Sequence, residues 1–283
     1  MQIIKTETDM QSFSRRVRSQ KRSIGVVPTM GALHEGHLSL VRNSKEDNDV
    51  TVVSIFVNPT QFGPDEDFQK YPGNSEVDVE KLLSTGVDAV FMPDADEMYP
   101  EGFSTSIDVG NIGKILCGQS RTGHFSGVAT VVAKLFNIVM PDKAYFGQKD
   151  YQQSVIIRKL VRELNFDIEI ISCPIIREPD GLAMSSRNAY LSEEERTAAT
   201  VLSKMLKRGE ELIKHHGVSD PVAVGKEMMK IIDSEPLATP DYIEIIDPDT
   251  LESVSTIESP VVLCIAARVG ATRLIDNMVL GEG

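Results

Sequence analysis

Short runs of β-branched and other apolar residues alternate with longer segments of helical period along the first two thirds of the chain. The longer segments carry apolar residues three and four positions apart, as helices that pack one face on a sheet do. This alternation is typical of parallel α/β sheets. The predicted strands are residues 24–27, 50–57, 89–92, 143–146 and 168–176, and the predicted helices are residues 38–46, 77–83, 128–139 and 151–164.

The pattern changes after Asn188. Ser192 followed by Glu195 is a capping-box signature, which predicts a charged helix that continues to about His215. Pro221 predicts the start of a further helix, because proline is favoured in the first helical turn. Two strand-like runs follow, at residues 242–246 and 261–267, with a turn-rich stretch at residues 247–250 between them.

These patterns predict an α/β fold: a doubly wound, Rossmann-like parallel sheet followed by a smaller α+β domain. We place the N-terminal catalytic domain at residues 1–187 and the C-terminal domain at residues 188–283. A chain of 283 residues, 41% of them hydrophobic, is long enough to bury a large core and a smaller one. Ligands of doubly wound sheets bind at the carboxyl ends of the strands, so the loops there are the first place to look for chemistry.

Composition limits the possible partners and compartments. A formal net charge of -13 argues against nucleic acid or an acidic membrane as the main partner, because both bind basic surfaces. Charged residues lie within the first ten positions, where a secretory signal would be apolar, and no apolar run approaches the length of a membrane span. The three cysteines are far apart and odd in number, which disfavours a disulfide framework. The expected location is the cytoplasm.

The most informative segment is residues 28–37 (PTMGALHEGH), between the first buried strand and the next helix. Backbone N–H groups and the helix dipole favour an anion at such a junction. His34 and His37 are expected on one face of the first turn, where they could bind phosphate oxygens and stabilise charge on an α-phosphate. Such histidines can also be ordinary polar loop residues. The chain has only five histidines, however, and two of them flank a glycine directly after a strand, which favours function.

A competing motif shares this segment. Gly31 and Gly36 have the spacing of a P-loop, which continues with Lys and then Ser or Thr to bind phosphate and magnesium. Here the next residues are His37 and Leu38. The sequence therefore disfavours a P-loop kinase.

Residues 147–153 (GQKDYQQ) lie at another strand-to-helix junction. Gly147 would allow a ligand to approach the backbone closely, and Lys149 offers a positive charge for phosphate. Asp150 could accept hydrogen bonds from ribose hydroxyls, cap the following helix, or do both. Gln153 lies one helical turn beyond Asp150.

Two weaker signals lie on the loops that follow other strands. Gln61, in residues 58–62 (NPTQF), could bind a hydroxyl or a carboxylate through its amide, although an isolated loop glutamine is usually just solvated. Residues 184–188 (MSSRN) place small hydroxyls beside Arg187, which suits phosphate or pyrophosphate, although such loops are common on protein surfaces. Together the strand ends are expected to put anion donors and amides on one rim of the sheet.

The motifs taken together resemble the pantothenate synthetase family, the pantoate beta-alanine ligases, over nearly the whole chain. A His-x-Gly-His sequence alone would be less specific, because nucleotidyltransferases and class I aminoacyl-tRNA synthetases share it. The resemblance depends on five segments in this order: residues 28–37, 58–62, 123–128 (GHFSGV), 147–153 and 184–188.

The resemblance implies a reaction in two steps. Pantoate attacks the α-phosphate of ATP to give pantoyl adenylate and pyrophosphate, and beta-alanine then displaces AMP to give pantothenate. It also implies Mg2+ with the ATP, a homodimer, and a C-terminal domain that acts as a lid. Gln61 and Gln153 would bind pantoate, with Gln61 also near beta-alanine.

The resemblance also implies roles for residues around ATP. His34 and His37 would contact the phosphates, with His37 as the proton donor, and Lys149 and Arg187 are predicted to act with them in catalysis. It assigns no protein ligand to a metal. The predicted nucleotide-binding residues are Met30, Gly31, Ala32, Leu33, His34, Glu35, Gly36, His37, Gly147, Gln148, Lys149, Asp150, Ile176, Met184, Ser185, Ser186 and Arg187.

One position departs from the family pattern, and two other functions stay open. Gly73 follows Tyr71 and Pro72 where the family commonly has an arginine, so any charge contact there is in doubt. One alternative is a nucleotidyltransferase that leaves a nucleotide on its product and needs no amine. The other is a noncatalytic nucleotide sensor, which would bind ATP without turnover.

Overall fold

The computed structural model describes residues 1–64 and 66–281. The chain divides into two compact units. One contains Met1–Gln148 and Gln153–Pro174, and the other contains Lys149–Gln152 and the chain from Ile175 onward. The division of roles between a catalytic domain and a lid stays a prediction.

The first unit is built on six strands, and most of its helices follow a strand along the chain. The strands are β1 (Gln2–Ile4), β2 (Ile24–Thr29), β3 (Val50–Ile55), β4 (Ala89–Phe91), β5 (Lys143–Gly147) and β6 (Glu169–Cys173). The α-helices in this part of the chain are α1 (Glu7–Ser19), α2 (Glu35–Asp47), α3 (Ser75–Thr85), α4 (Ala95–Met98), α5 (Cys117–Ser120), α6 (His124–Val139) and α7 (Tyr151–Glu163). Short 3-10 helices lie at Pro59–Gln61, Phe68–Lys70, Gly110–Gly113 and Gln148–Asp150.

All neighbouring strands of this sheet are parallel, in the order β1-β4-β3-β2-β5-β6. The predicted doubly wound α/β sheet is therefore confirmed. Its strand order changes direction between β2 and β5. These two strands pair only at Gly25 with Lys143 and Val26 with Ala144, whereas β2 and β3 pair over six positions. The carboxyl ends of β2 and β5 are thus unpaired with each other, at the topological switch point where doubly wound sheets bind ligands.

Both faces of the sheet are covered, because successive residues of a strand point to opposite sides. Val26 and Val52 belong to a core that also contains residues of α1 and α6. Val27 and Val53, the next residues along the same strands, belong to a second core with residues of α2 and α3. Burial on both faces explains why these strands are continuous apolar runs.

The second unit has α+β composition, as predicted. Its helices are α8 (Glu193–Ala198), α9 (Val201–Lys214) and α10 (Pro221–Asp233), preceded by a 3-10 helix at Ser186–Tyr190. Its strands β7 (Ala238–Ile246), β8 (Val261–Val269) and β9 (Thr272–Leu280) form an antiparallel sheet in the order β7-β8-β9.

Local signals in the second unit were mostly right. The capping box of Ser192 and Glu195 is present at the start of α8, and α10 begins at Pro221. The single charged helix predicted to run to His215 is instead two helices, α8 and α9, because the chain turns between Ala198 and Val201. In the first unit, β6 ends at Cys173 rather than at residue 176, since Pro174 follows it and has no N–H to donate.

Elements that the sequence pattern did not predict include β1, α1 and β9. β1 has only three residues, too few to show a period. β9 contains Asp276 and Asn277, two residue types that are depleted in strands. Of the described helices, none is both long and apolar enough to cross a membrane.

Candidate active site

The loop between β2 and α2 turns sharply. Gly31 has φ of +84° and Ala32 has φ of +50°, both in the left-handed region. Glycine adopts this conformation readily, whereas alanine is strained there, and such strain persists only where surrounding contacts hold it. A side chain at residue 31 would also place its Cβ 3.0 Å from a carboxylate oxygen of Asp78. Conformation and space therefore both favour glycine at this position.

Asp78 on α3 holds this loop in place. Its Oδ2 accepts a hydrogen bond from the Ala32 N–H at 2.8 Å, and its Oδ1 accepts one from the Leu33 N–H at 2.7 Å. Asp78 is 2% exposed, so both bonds are shielded from water. Lys81, one turn further along α3, donates to the Leu33 carbonyl at 2.5 Å. Asp78 was not among the predicted residues, because this contact joins positions that are far apart in the sequence.

The two histidines of the motif cap α2 together. His34 is the N-cap residue, and its Nδ1 accepts a hydrogen bond from the Gly36 N–H at 3.1 Å. The Nδ1 of His37 accepts from the His34 N–H at 3.3 Å, which completes a reciprocal capping box. Their ring centroids are 4.1 Å apart. The predicted pairing of His34 and His37 at a helix start is confirmed, and α2 begins at Glu35 rather than at residue 38.

The capping box decides the tautomer of both rings. A nitrogen that accepts a hydrogen bond from a backbone N–H carries no proton, so each neutral imidazole keeps its proton on Nε2. His34 and His37 are therefore Nε2–H donors at the positive end of the α2 dipole. Donors at a helix N-terminus form an anion site, and phosphate is one of the anions that such sites bind.

Gln61 lies beside the same loop. Its Nε2 is 3.0 Å from the Met30 sulfur, and its Oε1 accepts a hydrogen bond from Asn58 at 3.1 Å. Asn58 is 1% exposed and its Oδ1 also accepts a hydrogen bond from the Tyr99 hydroxyl at 2.8 Å. The structure thus brings together Met30 and Gln61 from two predicted segments. It adds Asn58, whose position in the NPTQF motif was a signal that could have identified it.

A second histidine network supports the turn that carries Gln61. His124 donates from Nδ1 to the Gln61 carbonyl at 2.8 Å, since a carbonyl can only accept. Its Nε2 then accepts from Arg121 at 2.9 Å, and Arg121 forms a fork with the Glu66 carboxylate at 2.8 and 2.6 Å. Burial raises the pKa of Glu66, but the hydrogen bond and charge of Arg121 outweigh it and leave that pKa below its ordinary value.

Gly127 allows α6 to approach the same turn. A Cβ at residue 127 would lie 2.3 Å from the Thr60 carbonyl oxygen, closer than any real contact. The Gly127 carbonyl also accepts a hydrogen bond from Asn58 at 3.2 Å. The GHFSGV motif, for which the sequence suggested no role, is therefore a support for Gln61 through His124 and Gly127.

Lys149 and Asp150 lie in the 3-10 helix that links β5 to α7. Their side chains are 4.0 Å apart, and Asp150 is exposed. The Lys149 carbonyl accepts a hydrogen bond from the Asn277 side chain on β9 at 2.9 Å. Gln153 is half-buried on the first turn of α7.

Gly147 ends β5, and Gln148 begins the 3-10 helix after it. The predicted residues from Ile176 onward lie on a hairpin of the second unit and on the 3-10 helix that follows it. Met184 donates its N–H to the Ile176 carbonyl at 2.9 Å, so these two predicted residues lie next to each other. The next residues toward the turn, Arg177 and Ala183, form an antiparallel bridge. Arg187 donates its N–H to the Ser185 hydroxyl at 3.3 Å, at the start of the 3-10 helix Ser186–Tyr190.

Known proteins resemble the chain along its whole length. A family model described as pantoate-beta-alanine ligase matches residues 2–279. The pantothenate synthetase of Acetivibrio thermocellus is 53% identical over 280 residues, which cover 99% of each chain. The pantothenate synthetase of Thermotoga petrophila is 54% identical over 281 residues, which cover 99% of this chain and 100% of the relative.

Solved structures agree with this assignment. Pantothenate synthetase from Thermus thermophilus matches 100% of both chains with a TM-score of 0.94 and 42% identity. A pantoate-beta-alanine ligase from Francisella tularensis, complexed with beta-gamma ATP and beta-alanine, covers 99% of this chain and 97% of its own with a TM-score of 0.82 and 36% identity. The chain described here belongs to the pantoate-beta-alanine ligase family.

Proposed function

We propose that this chain ligates pantoate and beta-alanine to give pantothenate, using ATP and releasing AMP and pyrophosphate through a pantoyl adenylate. Membership in the pantoate-beta-alanine ligase family supports this function. So does a relative with 36% identity whose structure holds beta-gamma ATP and beta-alanine.

The observation that carries the proposal is the histidine pair at the N-terminus of α2. His34 and His37 offer two Nε2–H donors beside the helix dipole, at the carboxyl end of β2 where the sheet has its switch point. An α-phosphate gains negative charge when a carboxylate attacks it. Donors placed where charge develops stabilise the transition state, and each is worth about a hundredfold or more in rate.

In the first step, a pantoate carboxylate oxygen forms a bond to the α-phosphorus of ATP, and the bond to the bridging oxygen of pyrophosphate breaks. His34 and His37 would donate hydrogen bonds to the phosphates, and His37 would be the proton donor. Lys149 and Arg187 would balance the charge of the departing pyrophosphate. Met30 to Leu33 would pack against the nucleotide. The N–H groups of Ala32 and Leu33 already donate to Asp78, which holds this loop in place.

In the second step, the beta-alanine amine attacks the acyl carbon of the adenylate, AMP leaves, and the new amide nitrogen loses a proton. Gln61 and Gln153 would hold pantoate in both steps. Gln61 is suited to this role because its turn is held by Asn58 and His124, so its amide is positioned before substrate binds.

Magnesium is expected with the ATP. Among residues 1–64 and 66–281 there is no group of three or more His, Cys, Asp or Glu side chains that could enclose a metal ion. Mg2+ is usually bound by substrate phosphates and water rather than by an all-protein cage. When bound, it would neutralise part of the phosphate charge.

An assay of the purified protein tests the proposal directly. ATP, magnesium and pantoate are supplied with and without beta-alanine, and AMP, pyrophosphate and pantothenate are measured. We expect sustained AMP release only with beta-alanine, matched mole for mole by pantothenate. Sustained turnover without the amine would indicate a nucleotidyltransferase instead, and ATP binding without turnover would indicate a sensor.

The homodimer, the lid role of the C-terminal domain and the cytoplasmic location are proposals that depend on the family resemblance and composition. The remaining nucleotide contacts, from Gly147 to Asp150, at Ile176, and from Met184 to Arg187, are likewise proposals that depend on the family resemblance. Sedimentation velocity at several protein concentrations would test the dimer.

A further inference from the structure

We propose that Asp276 and Asn277 on β9 are positioning residues for ATP, because they hold two segments that carry predicted nucleotide ligands. The inference rests on the proposed function. It assigns a role in the reaction to a strand whose sequence shows no catalytic motif.

The two side chains are unusual for their location. Asp276 is 3% exposed and Asn277 is 2% exposed, and both lie within the nine residues of β9. Buried polar side chains need hydrogen-bond partners, and aspartate and asparagine are depleted in strands. A local conflict between sequence and structure of this kind is expected at functional sites.

Asp276 holds the hairpin that carries Ile176 and Met184. Its two carboxylate oxygens accept a bidentate fork from Arg177 at 2.7 and 3.0 Å. Arg177 also donates to the Gly181 carbonyl at 3.0 Å, within the turn of the same hairpin. A planar guanidinium bound by two oxygens has a fixed direction, so the fork orients the hairpin as well as attaching it.

Asn277 holds the segment that carries Lys149 and Asp150. Its side-chain amide donates to the Lys149 carbonyl at 2.9 Å. Its own backbone N–H donates to Asp276 Oδ1 at 2.8 Å, which ties the two contacts together. Successive side chains of a strand point to opposite faces, so this pair can reach two different segments from one place on β9.

The position of these contacts suggests how they would affect the reaction. Lys149 is predicted to bind phosphate, and the hairpin carries the predicted nucleotide-binding residues Ile176 and Met184, so both segments would contact ATP. A misplacement of about 1 Å in a catalytic group can cost on the order of a hundredfold in rate. Rigid support from β9 would hold both groups at the correct separation.

Asn277→Ala tests the inference, with Thr272→Val as the matched control at the other end of β9. Thr272 is buried on the same strand, so the control reports what a change in strand packing does by itself. The Kd of ATP is measured by calorimetry, and KM and kcat are measured for ATP and for pantoate. All measurements are made well below the unfolding temperature of each variant.

We expect Asn277→Ala to raise the Kd and KM for ATP about tenfold, as for the loss of one positioning hydrogen bond, with the KM for pantoate changed less than twofold. Thr272→Val should leave all of these values near those of the parent chain. A folded Asn277→Ala variant with the parent Kd and KM for ATP would overturn the inference. If that variant does not fold, Asn277→Leu, which keeps a similar volume and removes the donor without adding a charge, provides the same comparison.

The outcome separates this inference from the proposed function. If the unsubstituted chain makes pantothenate and the variants bind ATP normally, only the role of β9 is wrong. If the unsubstituted chain binds ATP without making pantothenate, the proposed function fails, while the Kd comparison still decides whether β9 positions ATP. If it does not bind ATP at all, both are overturned.

Discussion

Replacing Asp78 should loosen the loop that carries Met30 to Leu33. The carboxylate accepts two backbone hydrogen bonds at 2.7 and 2.8 Å from a position that is 2% exposed. Hydrogen bonds to a charged group contribute about 1.5–3 kcal/mol each, so Asp78→Ala should lower the free energy of unfolding by up to about 3–6 kcal/mol.

Asp78→Asn is the more informative change, because it keeps the size of the side chain. One oxygen still accepts, but the amide nitrogen now faces a backbone N–H, and two donors cannot pair. The loss of one charged hydrogen bond should destabilise the chain by about 1.5–3 kcal/mol. The freed loop should also raise the KM for ATP or lower kcat by roughly ten- to a hundredfold, since small shifts of positioned groups are costly.

Urea denaturation and steady-state kinetics together measure both effects. Glu80→Gln is the matched control, since Glu80 is an exposed carboxylate on the same helix α3. We expect the control to unfold and to use ATP like the parent chain. The reasoning about the loop would be refuted by an Asp78→Asn variant with the parent free energy of unfolding and the parent KM for ATP.

Four further predictions concern the site and its supports. His37→Ala should slow adenylate formation by on the order of a hundredfold or more without changing the circular dichroism, and near-normal turnover would refute its role. Gln153→Ala should raise the KM for pantoate more than that for ATP in steady-state assays; the opposite ranking would reverse the pocket assignment. Gly127→Ala should destabilise by about 1–3 kcal/mol in urea denaturation and weaken pantoate use, because its Cβ would lie 2.3 Å from a carbonyl oxygen. The control is Gly225→Ala on α10, where a Cβ would meet open space, and this change should be neutral or stabilising by about 0.5–1 kcal/mol. An equal loss of stability in both variants would contradict the argument that close packing requires glycine at residue 127. Burial raises the pKa of Glu66, but the hydrogen bond and charge of Arg121 outweigh burial and leave that pKa below its ordinary value. The ion pair therefore adds stability at neutral pH, and this stability is lost as the pH falls through the lowered pKa. Glu66→Gln should remove this part of the pH dependence of the free energy of unfolding. An unchanged pH dependence would show that the ion pair contributes nothing to stability.

The sequence was sufficient for the parallel sheet and for the histidine motif. Strands covered on both faces leave continuous apolar runs, and helices packed on them leave a period of three to four, so both could be identified from spacing. The paired His34 and His37 were predictable for a similar reason, since a helix N-terminus is encoded by residues close together in the chain. The capping box at Ser192 and the start of α10 at Pro221 are further local signals that were right.

The failures also have a physical cause. β9 was missed because Asp276 and Asn277 interrupt its apolar pattern, and the structure shows that both are buried with partners. The long charged helix was predicted as one element, because its helical period gives no sign of the turn between α8 and α9.

The sequence by itself therefore determined the α/β class, the strand ends where the chemistry is predicted, and the paired histidines at the start of α2. Only the tertiary structure decided the contacts that hold the loops, through Asp78 at the β2 loop, His124 at Gln61 and Asn277 at Lys149. Spacing along a chain encodes helix faces, strand faces and caps, because these depend on near neighbours. A hydrogen bond between residues distant in sequence depends on which elements the fold places side by side, and that is settled only when the whole chain packs.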